Sequence, residues 1–164
     1  MEKLAWCPRT LRENSYLHFV QSILDYSCSI WDPYHQTSIH ELEMIQHRAA
    51  WFVLNKPWRK TSYDSITDML TLLGWPTLQE RRQHARLMLL FKLTNNLLFI
   101  PSSYLPSPSP STRAQHKLKH MHIQSSSNIY CYSFFPRTIP EWNSLPFDDL
   151  DNITLSQYYV LIVV

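Results

Sequence analysis

Residues 76–93 read Pro-Thr-Leu-Gln-Glu-Arg-Arg-Gln-His-Ala-Arg-Leu-Met-Leu-Leu-Phe-Lys-Leu, and this stretch decides the fold. Thr77 and Glu80 have the spacing of a capping box, in which each side chain accepts a hydrogen bond from the backbone N–H of the other residue. The helix that begins there is predicted to run to about Leu98. Because residues 87–93 are apolar nearly all round, we expect this helix to be buried at the centre of the protein.

Three further helices are predicted before the central one. Apolar residues recur near the helical period over residues 11–31, with Val20, Ile23 and Ile30 on the stripe. A second amphipathic helix is predicted to begin at Ser38, three residues before Glu41, in a further capping box. A short third helix ends at Gly74, the chain's only glycine, which suits the left-handed position after a helix end.

Composition supports a mainly α fold, a bundle of about four helices. The chain has 164 residues, 45 % of them hydrophobic, which is enough for a packed core. One glycine and 11 prolines favour helices with stiff connections over hairpins. Cys7, Cys28 and Cys131 lie far apart, so neither a disulfide framework nor a zinc site is expected. The start lacks the apolar core of a signal peptide and no segment is long and apolar enough for a membrane span, so we expect an intracellular protein in the cytoplasm or nucleus.

The chain divides by composition into a helical domain at residues 1–100 and three shorter segments. Residues 101–128 form a basic linker rich in proline, serine and histidine. Residues 129–150 carry an aromatic clasp, which begins with a predicted short extended segment and whose indole is expected to pack back on the helices. Residues 151–164 are a divergent apolar tail. The residues expected to be structural are Trp31, Gly74, Trp75, Phe134, Phe135 and Trp142.

Positive and negative charges are segregated along the chain, although the net charge is only +2. No acidic residue lies between Glu80 and Glu141, and residues 44–63 form a second acid-free stretch that contains cations. Clustered positive charge attracts phosphate and releases counterions on binding, so nucleic acid is the natural partner to test. A solvated basic face is the alternative.

Four motifs, in order, resemble the region behind the polymerase core of LINE-type reverse transcriptases, the enzymes of non-LTR retrotransposons. The most diagnostic is Ser-Phe-Phe-Pro-Arg-Thr-Ile-Pro-Glu-Trp-Asn-Ser-Leu-Pro at residues 133–146. The others are Leu24-Asp25-Tyr26 with Ile30-Trp31-Asp32-Pro33-Tyr34, Leu42-Glu43 with Gln46-His47-Arg48-Ala49-Ala50, and Leu73-Gly74-Trp75 with Leu78-Gln79-Glu80-Arg81-Arg82. The resemblance covers roughly residues 9–150. It implies a thumb-like fragment of an RNA-directed DNA polymerase that lacks the catalytic palm.

The chain departs from the family pattern at several positions. Val20-Gln21-Ser22 stands where Val-Arg-Pro is usual, Asp25 where Glu is usual, and His47 where Arg is expected. The loss of two cationic positions weakens any inherited hold on nucleic acid, and these are the marks of a decayed copy.

The candidate nucleic-acid site lies on the central helix. Arg82 and Arg86 share a helix face at i,i+4, so their guanidinium groups could bind successive phosphates. The resemblance implies that a thumb-like region contacts the template and primer duplex. The alternative is that Arg82 pairs with Asp64 or Asp68 and serves packing. The complete predicted set is Arg81, Arg82, Arg86 and Lys92 on the helix, with Lys56, Arg59 and Lys60 around Trp58 in a loop.

No catalytic residue, metal site or cofactor is predicted. Phe147-Asp148-Asp149 fails the spacing of a polymerase metal motif, and a solvated acidic turn is expected there. His40, Glu43 and His47 lack the zinc-protease pattern, and Glu43 with His47 is interpreted as an exposed i,i+4 pair. The linker histidines, His116, His120 and His122, lack a second ligand pair of standard spacing for a metal.

The sequence therefore predicts a non-catalytic reverse transcriptase fragment with at most weak, sequence-independent binding to the RNA or DNA backbone. It predicts no membrane partner and no small-molecule substrate. The alternative is a structural or protein-interaction module that self-associates into a homo-oligomer through exposed helix faces.

Overall fold

A computed structural model describes residues 7–55, 63–109 and 119–145, and in these ranges the protein is mainly helical, as predicted. Its elements are α1 (Arg9–Ser15), a π-helical segment (Tyr16–Gln21), α2 (Ser22–Asp25), α3 (Cys28–Trp31), α4 (Gln36–Leu54), α5 (Tyr63–Leu73), α6 (Leu78–Thr94), a 3-10 turn (Ser102–Tyr104), α7 (Asn128–Cys131) and α8 (Phe134–Asn143). Within those same ranges, no helix has the length and apolar character needed to cross a membrane.

The chain forms two compact units, residues 1–82 and 83–164. The boundary between the two units lies inside α6. A boundary inside a continuous helix has no linker composition to mark it.

The segment over residues 11–31 is several helical pieces instead of the single predicted helix. A π-helical turn follows α1, and Ser27 then adopts a left-handed conformation (φ 50°) that separates α2 from α3. Positive φ is uncommon for a residue with a Cβ atom, and it takes the chain out of the right-handed helical conformation at this residue. No residue pattern in the sequence marked it.

Helix α4 begins at Gln36, two residues before the predicted start, so the capping box proposed for Ser38 is wrong. The residue at its N-cap is His35, and the helix ends at Asn55 in the left-handed conformation. In the first unit, the ring of Tyr16 stacks on Trp75 with centroids 4.6 Å apart. The buried core there consists of Tyr16, Ala50, Trp51, Val53, Met69, Leu70 and Trp75.

The two predictions about the segment between α5 and α6, a left-handed glycine and a capping box, are confirmed. Gly74 has φ 65°, the left-handed conformation after the end of α5. The Thr77 backbone N–H donates to Glu80 Oε2 (2.9 Å), and the Glu80 N–H donates to Thr77 Oγ1 (3.2 Å). The capping box is therefore formed by the residues that the sequence indicated.

In the second unit, α6 ends at Thr94, before the predicted end at Leu98. Asn96 is left-handed (φ 53°), and the Leu97 N–H closes the helix by donating to the Lys92 carbonyl (2.9 Å). The hydrophobic core cluster of this unit consists of Leu87, Met88, Leu90, Phe91, Ile139 and Trp142.

The predicted extended segment at residues 129–135 is wrong, because this part of the chain is helical. Ser127 caps α7 by accepting from the Tyr130 N–H, and α8 follows at once. Pro136 lies in the first turn of α8, where a missing N–H costs nothing, and Pro140 lies inside the helix instead of at a turn. The tyrosines alternate along the sequence, but short helices are decided by caps and packing as much as by periodicity.

The packing expected for the clasp is confirmed. Trp142 has no exposed surface, and its ring centroid lies 6.5 Å from that of Phe91 on α6. Phe134 and Phe135 make an edge-to-face pair at 5.0 Å and pack against the same core. In contrast, Trp31 is 40 % exposed and donates its Nε1–H to the Tyr26 carbonyl (2.7 Å), so it is not a core residue of the described structure.

Candidate nucleic-acid interface and its ion pairs

The arginines of α6 that were predicted to bind phosphate are engaged in ion pairs within the protein. Arg81 and Arg82 are paired in the first unit, and Arg86 is paired in the second. Lys92 is half-buried on the same helix. The loop cations Lys56, Arg59 and Lys60, with Trp58, lie outside the described residues.

Arg82 is the most deeply buried of the charged residues on α6, with 2 % of its surface exposed. Its Nε donates to Asp32 Oδ1 (2.8 Å), and a terminal nitrogen lies 3.6 Å from Glu43 Oε1. The Asp32 side chain is only 5 % exposed. Burial lowers the pKa of Arg82, and Glu43 opposes that shift, so the guanidinium stays charged in a nearly dry site. A phosphate could reach Arg82 only by displacing these carboxylates.

Glu43 connects α4 to the start of α6. Its carboxylate accepts hydrogen bonds from the backbone N–H groups of Leu78 (3.1 Å) and Gln79 (2.7 Å). These are the unpaired donors at a helix N-terminus, where the helix dipole also favours negative charge. The prediction that Glu43 forms an exposed pair with His47 is therefore wrong, because the carboxylate is bound to α6.

Arg81 forms a second, more exposed ion pair in the first unit. Its Nε donates to Asp25 Oδ1 (3.2 Å), and a terminal nitrogen donates to the other carboxylate oxygen, so the ion pair is bidentate. About a third of each side chain is exposed, 31 % for Arg81 and 32 % for Asp25. Water therefore screens this pair far more than it screens the pair made by Arg82.

In the second unit, Arg86 joins α6 to α8. Its terminal nitrogen lies 2.9 Å from each carboxylate oxygen of Glu141, and the Arg86 side chain is 3 % exposed. Glu141 is the residue before Trp142, so the polar and apolar contacts of α8 on α6 are adjacent in the sequence. Glu141, the first acidic residue after the long acid-free stretch, is therefore the partner of Arg86, a cation within that stretch.

The alternative interpretation of Arg82, an internal ion pair, agrees with the geometry, and its partners among the described side chains are Asp32 and Glu43 instead of Asp68. The side chain of Asp64 lies outside the described residues. No local pattern indicates these two carboxylates, Asp32 and Glu43, since they precede Arg82 by 50 and 39 positions. A buried arginine is stable only beside a carboxylate or another acceptor, but the fold alone decides which carboxylate of the chain that is.

Residues of the sequence motifs quoted above make several polar contacts in the first unit. Asp25 follows Leu24, Asp32 follows Trp31 and Glu43 follows Leu42 in those motifs, and all three carboxylates bind residues at the start of α6. Gln46, from the same motif as Glu43, is fully buried and donates to the Pro76 carbonyl (2.9 Å). Four residues of these motifs therefore join helices to one another or to the turn before α6.

The weaker candidate sites have the following positions. Burial, with a smaller contribution from His40, lowers the pKa of His47. His120 is buried, its Nε2 is 2.9 Å from Thr94 Oγ1, and His122 is exposed. Within the part of the chain that the structure describes, no group of three or more metal-ligating side chains is present. His116 and the Phe147-Asp148-Asp149 turn fall outside the described residues.

A feature that the sequence did not indicate is a group of exposed apolar side chains in the first unit. Phe19, Ile23, Tyr26 and Ile30 are 73 %, 72 %, 78 % and 82 % exposed, and we call them the exposed quartet. Ile23 and Ile30 were predicted to face the core. The π-helical turn and the break at Ser27 change the helical register, so a stripe drawn at 3.6 residues per turn assigns these side chains to the wrong side.

Comparison with known proteins adds no relative: no family model matches the chain, and neither a curated protein nor a solved structure is significantly similar to it.

Proposed function

We propose that the protein is a non-catalytic, thumb-like helical fragment derived from a LINE-type reverse transcriptase, and that it acts as a protein-interaction module. The observation that carries the proposal is the exposed quartet, which lies beside a polar network that uses the arginines for internal support. A helical unit in which Arg81 and Arg82 are paired internally, while four large apolar side chains are exposed to water, is better suited to bind protein than phosphate through these arginines.

The chemistry of the exposed quartet supports this role. Single exposed apolar residues are normal on protein surfaces, but four side chains within residues 19–30 that are each more than 70 % exposed form an unusual concentration. Phe19 and Tyr26 are aromatic, and aromatic residues are enriched in the cores of protein–protein interfaces. Burying them against a second copy of the chain would remove their apolar surface from water.

Sedimentation of the purified protein tests the proposal. We expect concentration-dependent self-association at micromolar protein, unaffected by raising salt from about 50 to 200 mM, because apolar burial is not screened by ions. Replacing Ile23→Asp and Ile30→Asp together should leave a monomer. Leu72→Asp is the matched control, since Leu72 is a 62 % exposed apolar residue of α5 outside the quartet.

A monomeric wild-type protein at all concentrations contradicts self-association. Equal effects of the Leu72 control and the double variant would contradict the assignment to the exposed quartet. Circular dichroism of each variant shows whether the helices are retained, so that a loss of association is not confused with unfolding.

Weak binding to RNA or DNA phosphates is the second candidate function. It is favoured by Lys92 and Lys119, which form no ion pair within the described ranges, and by the cations of residues 56–60 in the sequence. Binding by such groups would be independent of base sequence and would release counterions.

A salt titration of affinity for a generic RNA duplex tests this second candidate. Affinity should fall as salt rises, and Lys92→Gln with Lys119→Gln should reduce the slope of log affinity against log salt by about 1 for each lysine that contacts a phosphate. Unchanged binding in the double variant would exclude these lysines. The same protein preparations can be sedimented without RNA, so the two candidate functions fail or succeed separately.

A further inference from the structure

Two serines of the Pro/Ser-rich segment are each followed by proline, at 107–108 and 109–110. Ser107 is exposed, and the segment from Leu105 to Ser109 is neither α-helical nor in a sheet. Proline-directed kinases require a serine followed by proline in accessible, extended chain, so Ser107 has both the sequence and the backbone that such an enzyme accepts.

The backbone holds Ser107 against a defined neighbour. An isolated antiparallel bridge pairs Pro108 with His120. It is closed by the Met121 N–H donating to the Ser107 carbonyl (2.9 Å) and the Ser109 N–H donating to the Lys119 carbonyl (2.8 Å). Two hydrogen bonds are few, so this contact is open to reinforcement or disruption by a single new charge.

The pairing also sets which side chains share a face. Opposite residues in an antiparallel bridge lie on the same side, and successive residues alternate. Ser107 therefore shares a face with Lys119 and Met121, while the buried His120 lies on the other face, where it contacts Thr94. Lys119 is half-buried and is the diagonal neighbour of Ser107, within reach of its long side chain.

We propose that Ser107 is a phosphorylation site for a proline-directed kinase and that Lys119 receives the phosphate, which fastens the 105–109 segment to residues 119–121. In the reaction, Ser107 Oγ forms a bond to the γ-phosphorus of ATP while the bond from that phosphorus to ADP breaks. The hydroxyl proton passes to the base of the kinase. The product carries about two negative charges opposite an ammonium group that forms no other ion pair among the described residues.

The consequence reaches the packing of the second unit. Leu105, Pro106 and Pro108, with Lys119 and His120, form one side of a cavity of about 230 Å³ over Leu90, Leu93 and Thr94 of α6. A phosphate bound by Lys119 would stabilise the contact between residues 107–109 and 119–121, and so the side of the cavity that these residues form. The modification is thus expected to stabilise the linker without changing α6 itself.

The experiment uses the full 164-residue chain with Ser109→Ala, so that Ser107 is the one serine followed by proline. The protein is incubated with a purified proline-directed kinase and ATP, the site is located by mass spectrometry, and exchange of the Met121 amide is followed by NMR. We expect one phosphate at Ser107 and an exchange rate about two- to fivefold slower after modification.

Two variants of Lys119 separate the parts of the proposal. Lys119→Gln should accept the phosphate without slowing exchange, whereas Lys119→Arg should keep the slower exchange because it keeps the charge. Ser103→Ala, an exposed serine that is not followed by proline, should behave as the parent protein. No phosphate at Ser107, unchanged exchange after phosphorylation, or equal slowing in Lys119→Gln would each overturn the proposal.

Discussion

Replacing Arg82 by methionine should destabilise the protein severely, because it leaves Asp32 buried without its positive partner. The two side chains are 3 % and 5 % exposed and make a 2.8 Å hydrogen bond. Removing one member of a buried pair typically costs about 3–5 kcal/mol, since an uncompensated charge stays in a site of low dielectric. Because a whole domain is stable by only about 5–15 kcal/mol, this is a large fraction of the total.

Urea unfolding followed by tryptophan fluorescence measures the effect, since Trp51 and Trp75 lie in the core of the first unit. With an m-value of about 1.5 kcal/mol per M, the midpoint should fall by about 2–3 M urea. Arg81→Met is the matched control, because Arg81 precedes Arg82 and its ion pair with Asp25 is about a third exposed. It should cost only about 0–1 kcal/mol.

Equal destabilisation by the two variants would refute the reasoning from burial. A fully stable Arg82→Met protein that had lost RNA affinity would refute the structural role outright and restore Arg82 as a phosphate ligand. A double variant, Arg82→Met with Asp32→Leu, should recover much of the loss, because a buried ion pair can be replaced by apolar residues of similar size at little cost.

Three further predictions concern single residues. Burial raises the pKa of Tyr16 above its usual value of 10.0, so the stability that is complete below pH 10 should decline as the pH rises past it. Tyr16→Phe removes a hydroxyl with no hydrogen-bond partner among the described residues. Its free energy of unfolding, measured in urea between about pH 8 and 11, should decline less steeply than that of the parent protein. Thr77→Ala should lower the free energy of unfolding by about 1 kcal/mol through loss of the cap on α6, measured by thermal denaturation, and an unchanged midpoint would contradict that role. Trp142→Ala should cost about 3–5 kcal/mol because the indole is fully buried against α6, and a near-ultraviolet dichroism spectrum that keeps its native intensity would count against it.

The sequence was sufficient for several features whose physical cause is local, although the capping box predicted at Ser38 was wrong. Thr77 with Glu80 and the left-handed Gly74 were predicted correctly, because a cap or a helix end depends on a few neighbouring residues. The mainly α fold and the packing of Trp142 also followed from composition and side-chain size. The extended segment at residues 129–135 was predicted wrongly, because alternating tyrosines compete with a serine cap that favours a helical turn.

The candidate site shows the opposite case, in which the sequence identified the residues but left the role of Arg82 open between phosphate binding and an internal ion pair. Arg81, Arg82 and Arg86 stand in an acid-free part of the chain, and that pattern indicated a cationic surface. Their carboxylate partners come from α2, the turn after α3, α4 and α8, which only folding brings next to α6. The distribution of charge along a sequence is one-dimensional, whereas the groups that surround a cation in three dimensions decide whether it is paired or exposed to solvent.

By itself, then, the sequence determined the helical character of the protein, the cap and start of its central helix, and the absence of a polymerase metal motif of the usual spacing. Only the tertiary structure decided which charges are buried in pairs and which apolar side chains remain in water. The reason is that local backbone preferences act over a few residues, while burial and ion pairing depend on contacts between segments that lie tens of residues apart.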